Sequence, residues 1–534
     1  MRRYAVLWYP AVLFFGMAFT FGPTLDSGFE LVQTDPGDTV LNHYFLEHSW
    51  RYVSQRDYKA ELWSPRFFYP APEVLTYSDN LFGGAPVYWL FRVFASDILS
   101  YQLWMMAAFF LSFVAMAVVL RWFGLSHSMC ALGAFLFAFH TPVVQQIGHQ
   151  QLCPRWWIPF AIWYSWRFFE EPTGWRLFCA LFCVTAQFIT GVYVGWFLGF
   201  GLGLMGIVTF LVNGEARKKM GVLFRNSPHS IIIPVLLNGL LASMLVVPYL
   251  RGNEGFERPI EEVVAGLPRW NSWFSVPPKT LWYPILEPIC LGQGGEGYIG
   301  GGAVCLLLLT ALIVVLRRPD SGDRERIWIR TIALTLLLFV VLSFSIWISD
   351  NAGGGLWFFI YYLVPGAKAI RVIFRIYLIF YPLLIVGGLL SLRRILSETP
   401  ARRRGWLIAG LMILALAENY FPQIDDRGRS FRWAKTYEEA RQISGVIRGM
   451  DAVYGYTSTD PIANQLTMMW AGLYANVPVI NGYSGRHPRG YPFVGGEAAS
   501  DEALRAWLGQ DWRGKVMVYD IDLRRKEKVI VLGD

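Results

Sequence analysis

TDPGDTVLNHYFLEHSW, residues Thr34 to Trp50, follows an apolar run that begins at Tyr4 and ends near Phe21. It sets Asp35 and Asp38 around a Pro-Gly turn where the chain has just left a first apolar span, so two carboxylates stand in water at a bilayer surface. A carboxylate in that place accepts a proton from a hydroxyl group or holds a divalent cation. The plainer reading makes Asp38 the N-cap of a helix beginning at Thr39. Both readings presuppose a membrane chain, and composition agrees. Of 534 residues 54% are hydrophobic and 16% charged, with positive mean hydropathy, which excludes an ordinary soluble globular protein.

Outward from that stretch, apolar segments long enough for about 30 Å of hydrocarbon predict about eleven spans. They are Tyr4 to Phe21, Ile98 to Leu120, Met129 to Val144, Arg155 to Phe169, a pair between Arg176 and Val212 that turns near Thr190 to Tyr193, Ser230 to Leu250, Ile299 to Leu316, Ile327 to Ile348, Arg371 to Leu392, and Trp406 to Phe421. The Met1-Arg2-Arg3 start resembles a signal peptide but lacks a small-x-small cleavage site, so the first span is expected to be retained with a cytoplasmic start. Long polar or proline-rich interruptions at 22–97, 251–298 and 349–370 fall on the opposite side. The net charge of +8 sits largely in short connections, at Arg217 to Lys219, Arg317 to Arg326 and Arg393 to Arg404. That is the positive-inside pattern rather than a nucleic-acid footprint. The expected fold is mainly α, a polytopic helical bundle over 1–421 with a large first outer loop, followed by a small extracytoplasmic α/β domain over 422–534. In that tail, Ser500 to Leu508 reads as a helix and Lys515 to Asp520 and Lys528 to Leu532 as strands. The six cysteines show neither a disulfide framework nor metal-ligand spacing, and nothing favours a bridge between Cys153 and Cys290.

A first span followed at once by an outer loop with an acidic pair, then many helices, resembles the GT-C class of integral-membrane glycosyltransferases. The resemblance rests on Asp35-Pro-Gly-Asp38, on FFYPAPEVLTYSDNLFGGAPVYW at Phe67 to Trp89, on QQIGHQQL at Gln145 to Leu152, and on VPGAKAIRVIFR at Val364 to Arg375. Together these also look like an uncharacterised bacterial group within that class. The resemblance implies a sugar donor carried on polyprenyl phosphate, a glycan, lipid or protein acceptor, an inverting transfer at the extracytoplasmic face of the inner membrane, and a first-loop aspartate as base, either Asp35 or Asp38. The competing expectation is a transporter or flippase for a lipid-linked saccharide, which would place ionisable groups at mid-membrane and show internal repeats.

Other residues carry their own chemistry. Arg371 and Arg375, spaced i, i+4 at the outer mouth of a span, would offer two guanidiniums to a lipid phosphate from one helix face, with Lys368 nearby. Interfacial snorkelling is the bland alternative. His149 stands among Gln145, Gln146, Gln150 and Gln151, a polar cluster suited to sugar hydroxyls or a proton; a metal site there lacks a second histidine at ligand spacing. Tyr69, Asp79 and Trp89, with Tyr77, Asn80 and Tyr88, combine aromatic faces with polar groups that suit sugar rings or simply line a bilayer interface. His43 and Glu47, at i, i+4, read as solvated or structural. In the tail, Arg486 and His487 sit in a basic, glycine-rich loop that would meet a phosphate or remain solvated.

Overall fold

The computed structural model describes residues 4–33, 36–290, 297–318, 323–349, 352–420 and 430–532. Asp35 lies outside the described residues. Among the described residues seven helices are long and apolar enough to cross a membrane: Ala5–Asp26, Asp97–Trp122, His127–Gly148, Val192–Val212, His229–Gly252, Arg324–Ser343 and Ile373–Glu398. The chain is a mainly α, polytopic membrane protein. The expectation of about eleven spans is corrected to seven, and the reason is length and charge. Trp157–Glu170 has 14 residues, Gly174–Thr190 has 17 and Gly302–Arg317 has 16, against the roughly 20 a full crossing needs. Ala401–Glu418 has 18 but opens on Arg402, Arg403 and Arg404 and closes on Glu418. All four form helices where apolar runs were read, and they pack beside the longer ones.

The Tyr377–Ile395 helix is buried over nearly its whole length and forms the centre of the bundle. By contrast His229–Gly252 exposes Ile232, Leu236, Leu240 and Met244, a lipid-facing surface. All six cysteines are free and buried, so Cys153 and Cys290 are not bridged.

Connections gather at two ends. One holds the basic clusters, where Arg393 pairs with Glu325, Arg394 with Asp323 and Lys219 with Glu215. The other carries the first loop, the 146–152 turns, the turn at Gly191 and the tail. The tail contains a three-stranded mixed sheet in which Ala452–Tyr456 runs parallel to Gly514–Asp520, and Arg525–Leu532 antiparallel to it. Helices Trp433–Ile447, Pro461–Ala475 and Asp501–Leu508 accompany it.

The first loop and the tail are joined at backbone level. Leu31–Gln33 pairs antiparallel with Ser430–Arg432. Further along, the Val479 N–H donates to Arg66 O at 2.8 Å, the Tyr69 N–H to Val479 O at 3.0 Å and the Phe68 N–H to Asn481 O at 2.9 Å. Buried charges reinforce that seam. The fully buried Glu47 accepts from Arg51 at 3.0 Å, Arg92 at 2.9 Å and the Tyr88 hydroxyl at 2.8 Å. Asp97 accepts from Tyr474 at 2.8 Å and from Arg441 at 3.3 Å. His43, held neutral by burial with its pKa pushed down to about 3, meets the Tyr437 hydroxyl at 2.8 Å.

Candidate active site

The Pro36–Ser54 helix starts three residues earlier than the capping reading requires, because a proline suits the first helical position, where its missing N–H costs nothing. Asp38 therefore lies inside the first turn, and its side chain is not the N-cap. The carboxylate turns outward instead: Oδ2 meets His149 Nδ1 at 2.9 Å, and the Tyr483 hydroxyl donates to Oδ1 at 3.4 Å. Both partners of the Asp38–His149 pair remain open to solvent, at 31% and 28% side-chain exposure. An anion in this first turn also gains from the helix N-terminus.

His149 is presented between two short 3-10 turns, Gln146–Gly148 and Gln150–Leu152. The neighbouring glutamines fix that segment onto the Pro36–Ser54 helix. Buried Gln150 donates to Thr39 Oγ1 at 2.8 Å, and the Asn42 amide donates to Gln150 Oε1 at 2.9 Å and Gln151 Oε1 at 3.1 Å. Behind them the buried Arg155 donates to Ala138 O at 3.3 Å and Cys153 O at 3.5 Å, tying the two flanks of the His149 segment together.

A second cluster adjoins the first. A side chain at Gly191 would come within 2.5 Å of Gln151 O, so this turn packs directly against the His149 segment only because the residue is glycine. The next residue, Val192, opens the Val192–Val212 helix and donates its N–H to Asp79 Oδ1. Burial pushes the Asp79 carboxyl up to about 6, opposed by that N–H, by the nearby Arg375 guanidinium and by the Tyr193 N–H. Arg375 is buried and lies over the Tyr193 ring at 5.1 Å, while the Tyr193 hydroxyl accepts the Arg371 N–H at 3.3 Å. Arg371 itself is exposed.

The two arginines thus do not share one α-helical face. The Tyr377–Ile395 helix begins only after a 3-10 turn at Ile373–Ile376, because the Phe374 N–H is drawn to Gly266 O at 2.9 Å. Both residues nevertheless meet Tyr193, Arg375 through its guanidinium over the ring and Arg371 through its backbone N–H to the hydroxyl.

The remaining expected residues stand elsewhere. Trp89 donates to Ser49 Oγ at 3.0 Å, far along the Pro36–Ser54 helix from Asp38. Tyr69 is bound to the tail, its hydroxyl accepting from Trp512 at 3.2 Å and its carbonyl from Trp507 at 2.7 Å. Arg486 is stacked between Tyr77 and Phe256, at 4.1 and 4.7 Å from the ring centres, and burial lowers its pKa. His487 lies against Phe68 and Tyr491. Each of these side chains makes packing contacts within the protein. Tyr483 and Tyr193 were not among the residues singled out from sequence, although the tail loop and the turn that carry them were. Among the described residues no group of three or more His, Cys, Asp or Glu side chains is placed to hold a metal ion.

The site is therefore a solvent-open Asp–His pair beside a buried arginine, at one end of a membrane bundle. No family profile matches the sequence, and no curated protein matches it. Similar solved structures include the cryo-EM structure of arabinofuranosyltransferase AftD from Mycobacteria, at 13% identity and a TM-score of 0.46, covering 85% of this chain and 29% of that one. The Archaeoglobus fulgidus oligosaccharyltransferase in the apo form gives 10% identity and 0.47, over 90% of this chain and 65% of that one. The oligosaccharyltransferase AglB from Archaeoglobus fulgidus, in complex with an inhibitory peptide and a dolichol-phosphate, gives 12% and 0.42, over 89% and 64%.

Proposed function

We propose that the chain is a membrane glycosyltransferase that moves a sugar from a polyprenyl-phosphate carrier to an acceptor hydroxyl or amide, with Asp38 as base. The observation that carries this is the Asp38 carboxylate, which is held by His149 at 2.9 Å yet left partly open to solvent instead of capping its own helix. Asp38 takes the acceptor's proton as the acceptor atom attacks the anomeric carbon. The carbon–oxygen bond to phosphate breaks, its electron pair leaves with the polyprenyl phosphate, and the anomeric centre inverts. Arg375 and Arg371 stabilise the departing phosphate, with Tyr193 setting their spacing. The end that carries the site faces away from the cytoplasm, since the basic clusters occupy the other. A transporter would be expected to concentrate these groups at mid-membrane, whereas Asp38, His149, Asp79 and Arg375 gather at one end.

The test uses the purified full chain with a panel of undecaprenyl-phosphate-linked sugars and an envelope extract as acceptor, reading release of undecaprenyl phosphate. Asp38→Asn is expected to slow release by about 10²- to 10⁴-fold, with donor affinity and thermal stability unchanged. Near-full turnover in that variant would overturn the assignment.

A further inference from the structure

Resting on that reading, we propose that Tyr483 is a positioning residue for Asp38 and that the tail loop 482–491 is held rigid to deliver it. Tyr483 is the tail's contact with the carboxylate, reaching Oδ1 at 3.4 Å while His149 occupies Oδ2. That distance is longer than the usual O–H···O bond. It orients the carboxylate without saturating the oxygen that must receive a proton, and such bonds tighten once substrate is bound.

The loop has no slack. Within the tail, Gln465 accepts the Gly482 N–H at 2.8 Å and the Tyr491 hydroxyl at 3.5 Å, while its own amide donates to Phe493 O at 2.8 Å. One side chain therefore fixes both ends of the loop. Toward the bundle, Arg486 is sandwiched between Tyr77 and Phe256 and donates to Gly252 O, and Arg258 donates to Gly485 O at 3.2 Å. The approach is close enough to demand glycine. A Cβ on Gly482 would meet the Phe68 ring at 2.3 Å, and one on Gly485 would meet Tyr77 O at 2.6 Å. Arg486, read from sequence as meeting a phosphate or remaining solvated, thus acts as a clamp that holds Tyr483 over the Pro36–Ser54 helix.

Among the described residues His149 from the 146–152 turns and Tyr483 from the tail meet the Asp38 carboxylate, one at each oxygen. Removing the Tyr483 hydroxyl leaves the carboxylate held from one side alone, which loosens its aim at the acceptor and leaves donor binding untouched.

The experiment compares Tyr483→Phe, Arg486→Ala, the double variant and the loop control Arg489→Ala in the full chain, with the same undecaprenyl-phosphate sugars and envelope extract. Tyr483→Phe is expected to lower kcat about tenfold while leaving donor affinity within about twofold and thermal stability unchanged. Arg486→Ala is expected to reproduce that split, the double variant to add little to it, and Arg489→Ala to match wild type. Wild-type kcat in Tyr483→Phe, alongside an inactive Asp38→Asn, would overturn the role of Tyr483 and leave the transferase reading standing. Full turnover in Asp38→Asn would remove both. A loss of donor affinity in Tyr483→Phe as large as the loss of kcat would also overturn the positioning role.

Discussion

The two ends of the bundle use charge in opposite ways. At the basic end, partners are near neighbours in sequence or sit on adjacent connections, and they stay partly exposed. Arg167 pairs with Glu170 and Glu171, three and four residues away, and Lys219 with Glu215, at 37% and 49% exposure. At the other end the carboxylates are withdrawn from water, and they reach partners as far off in the chain as 45 residues for Glu47–Arg92 and 344 for Asp97–Arg441. Glu47 is wholly buried under Arg51 and Arg92, and Asp97 in the bundle meets Arg441 in the tail. Exposed pairs of the first kind are screened by water and hold little in place. Buried ones hold particular segments against each other, and here the segments they hold are those that build the site.

The largest effect that distinguishes the ends is expected at Glu47. Glu47→Ala leaves two guanidiniums without their buried carboxylate and should destabilise the protein by about 3–5 kcal/mol, read as a lowered Tm in detergent. A loss of under about 1 kcal/mol would erase the distinction, since the seam would then depend on its charges no more than the basic end does.

Asp79 gives the next largest. Its unfolded carboxyl ionises near 3.8 and the folded one near 6, so between these values the folded chain holds the extra proton. Stability should fall by about 3 kcal/mol as pH rises from about 4 to about 6, then level off. Asp79→Asn should abolish that slope, and a slope of the same size in the variant would assign it to another group.

The smallest concerns the arginines. Arg375→Ala should weaken binding of an undecaprenyl-phosphate sugar about tenfold or more, the loss of a charge-assisted bond of about 1.5–3 kcal/mol. Arg371→Ala, at the exposed position, should cost less. Arg394→Ala at the basic end should leave donor affinity unchanged and stability within about 1 kcal/mol. Equal losses from Arg375 and Arg394 would show that donor binding responds to net charge rather than to the site.

Where a signal is local, it could be read from the chain. The Asp501–Leu508 helix is capped by Ser500, whose side chain accepts from the Ala503 N–H, and alternation marked the strands Gly514–Asp520 and Arg525–Leu532. Gly191 marked its turn. The errors arise where tertiary contacts override local pattern. Pro36 moved a helix start and freed Asp38 from capping, and Gly266 unwound the segment that would have put Arg371 and Arg375 on one face. Apolar runs located helices but not crossings, because four of them are too short or too charged. Tyr483 was beyond reach altogether, lying 445 residues from the carboxylate it meets.

That separation also sets a clock. Asp38 leaves the ribosome long before Tyr483 is made, and at about 5–20 residues per second the gap of 445 residues lasts about 20–90 s. Throughout it the edge at Leu31–Gln33 has no Ser430–Arg432 to pair with, and the Arg66–Tyr69 backbone has no Val479. Unpaired edges of this kind are sites for wrong association. Closure of the end that carries the candidate site therefore waits on late synthesis, and a prematurely terminated chain lacks the strands that close it.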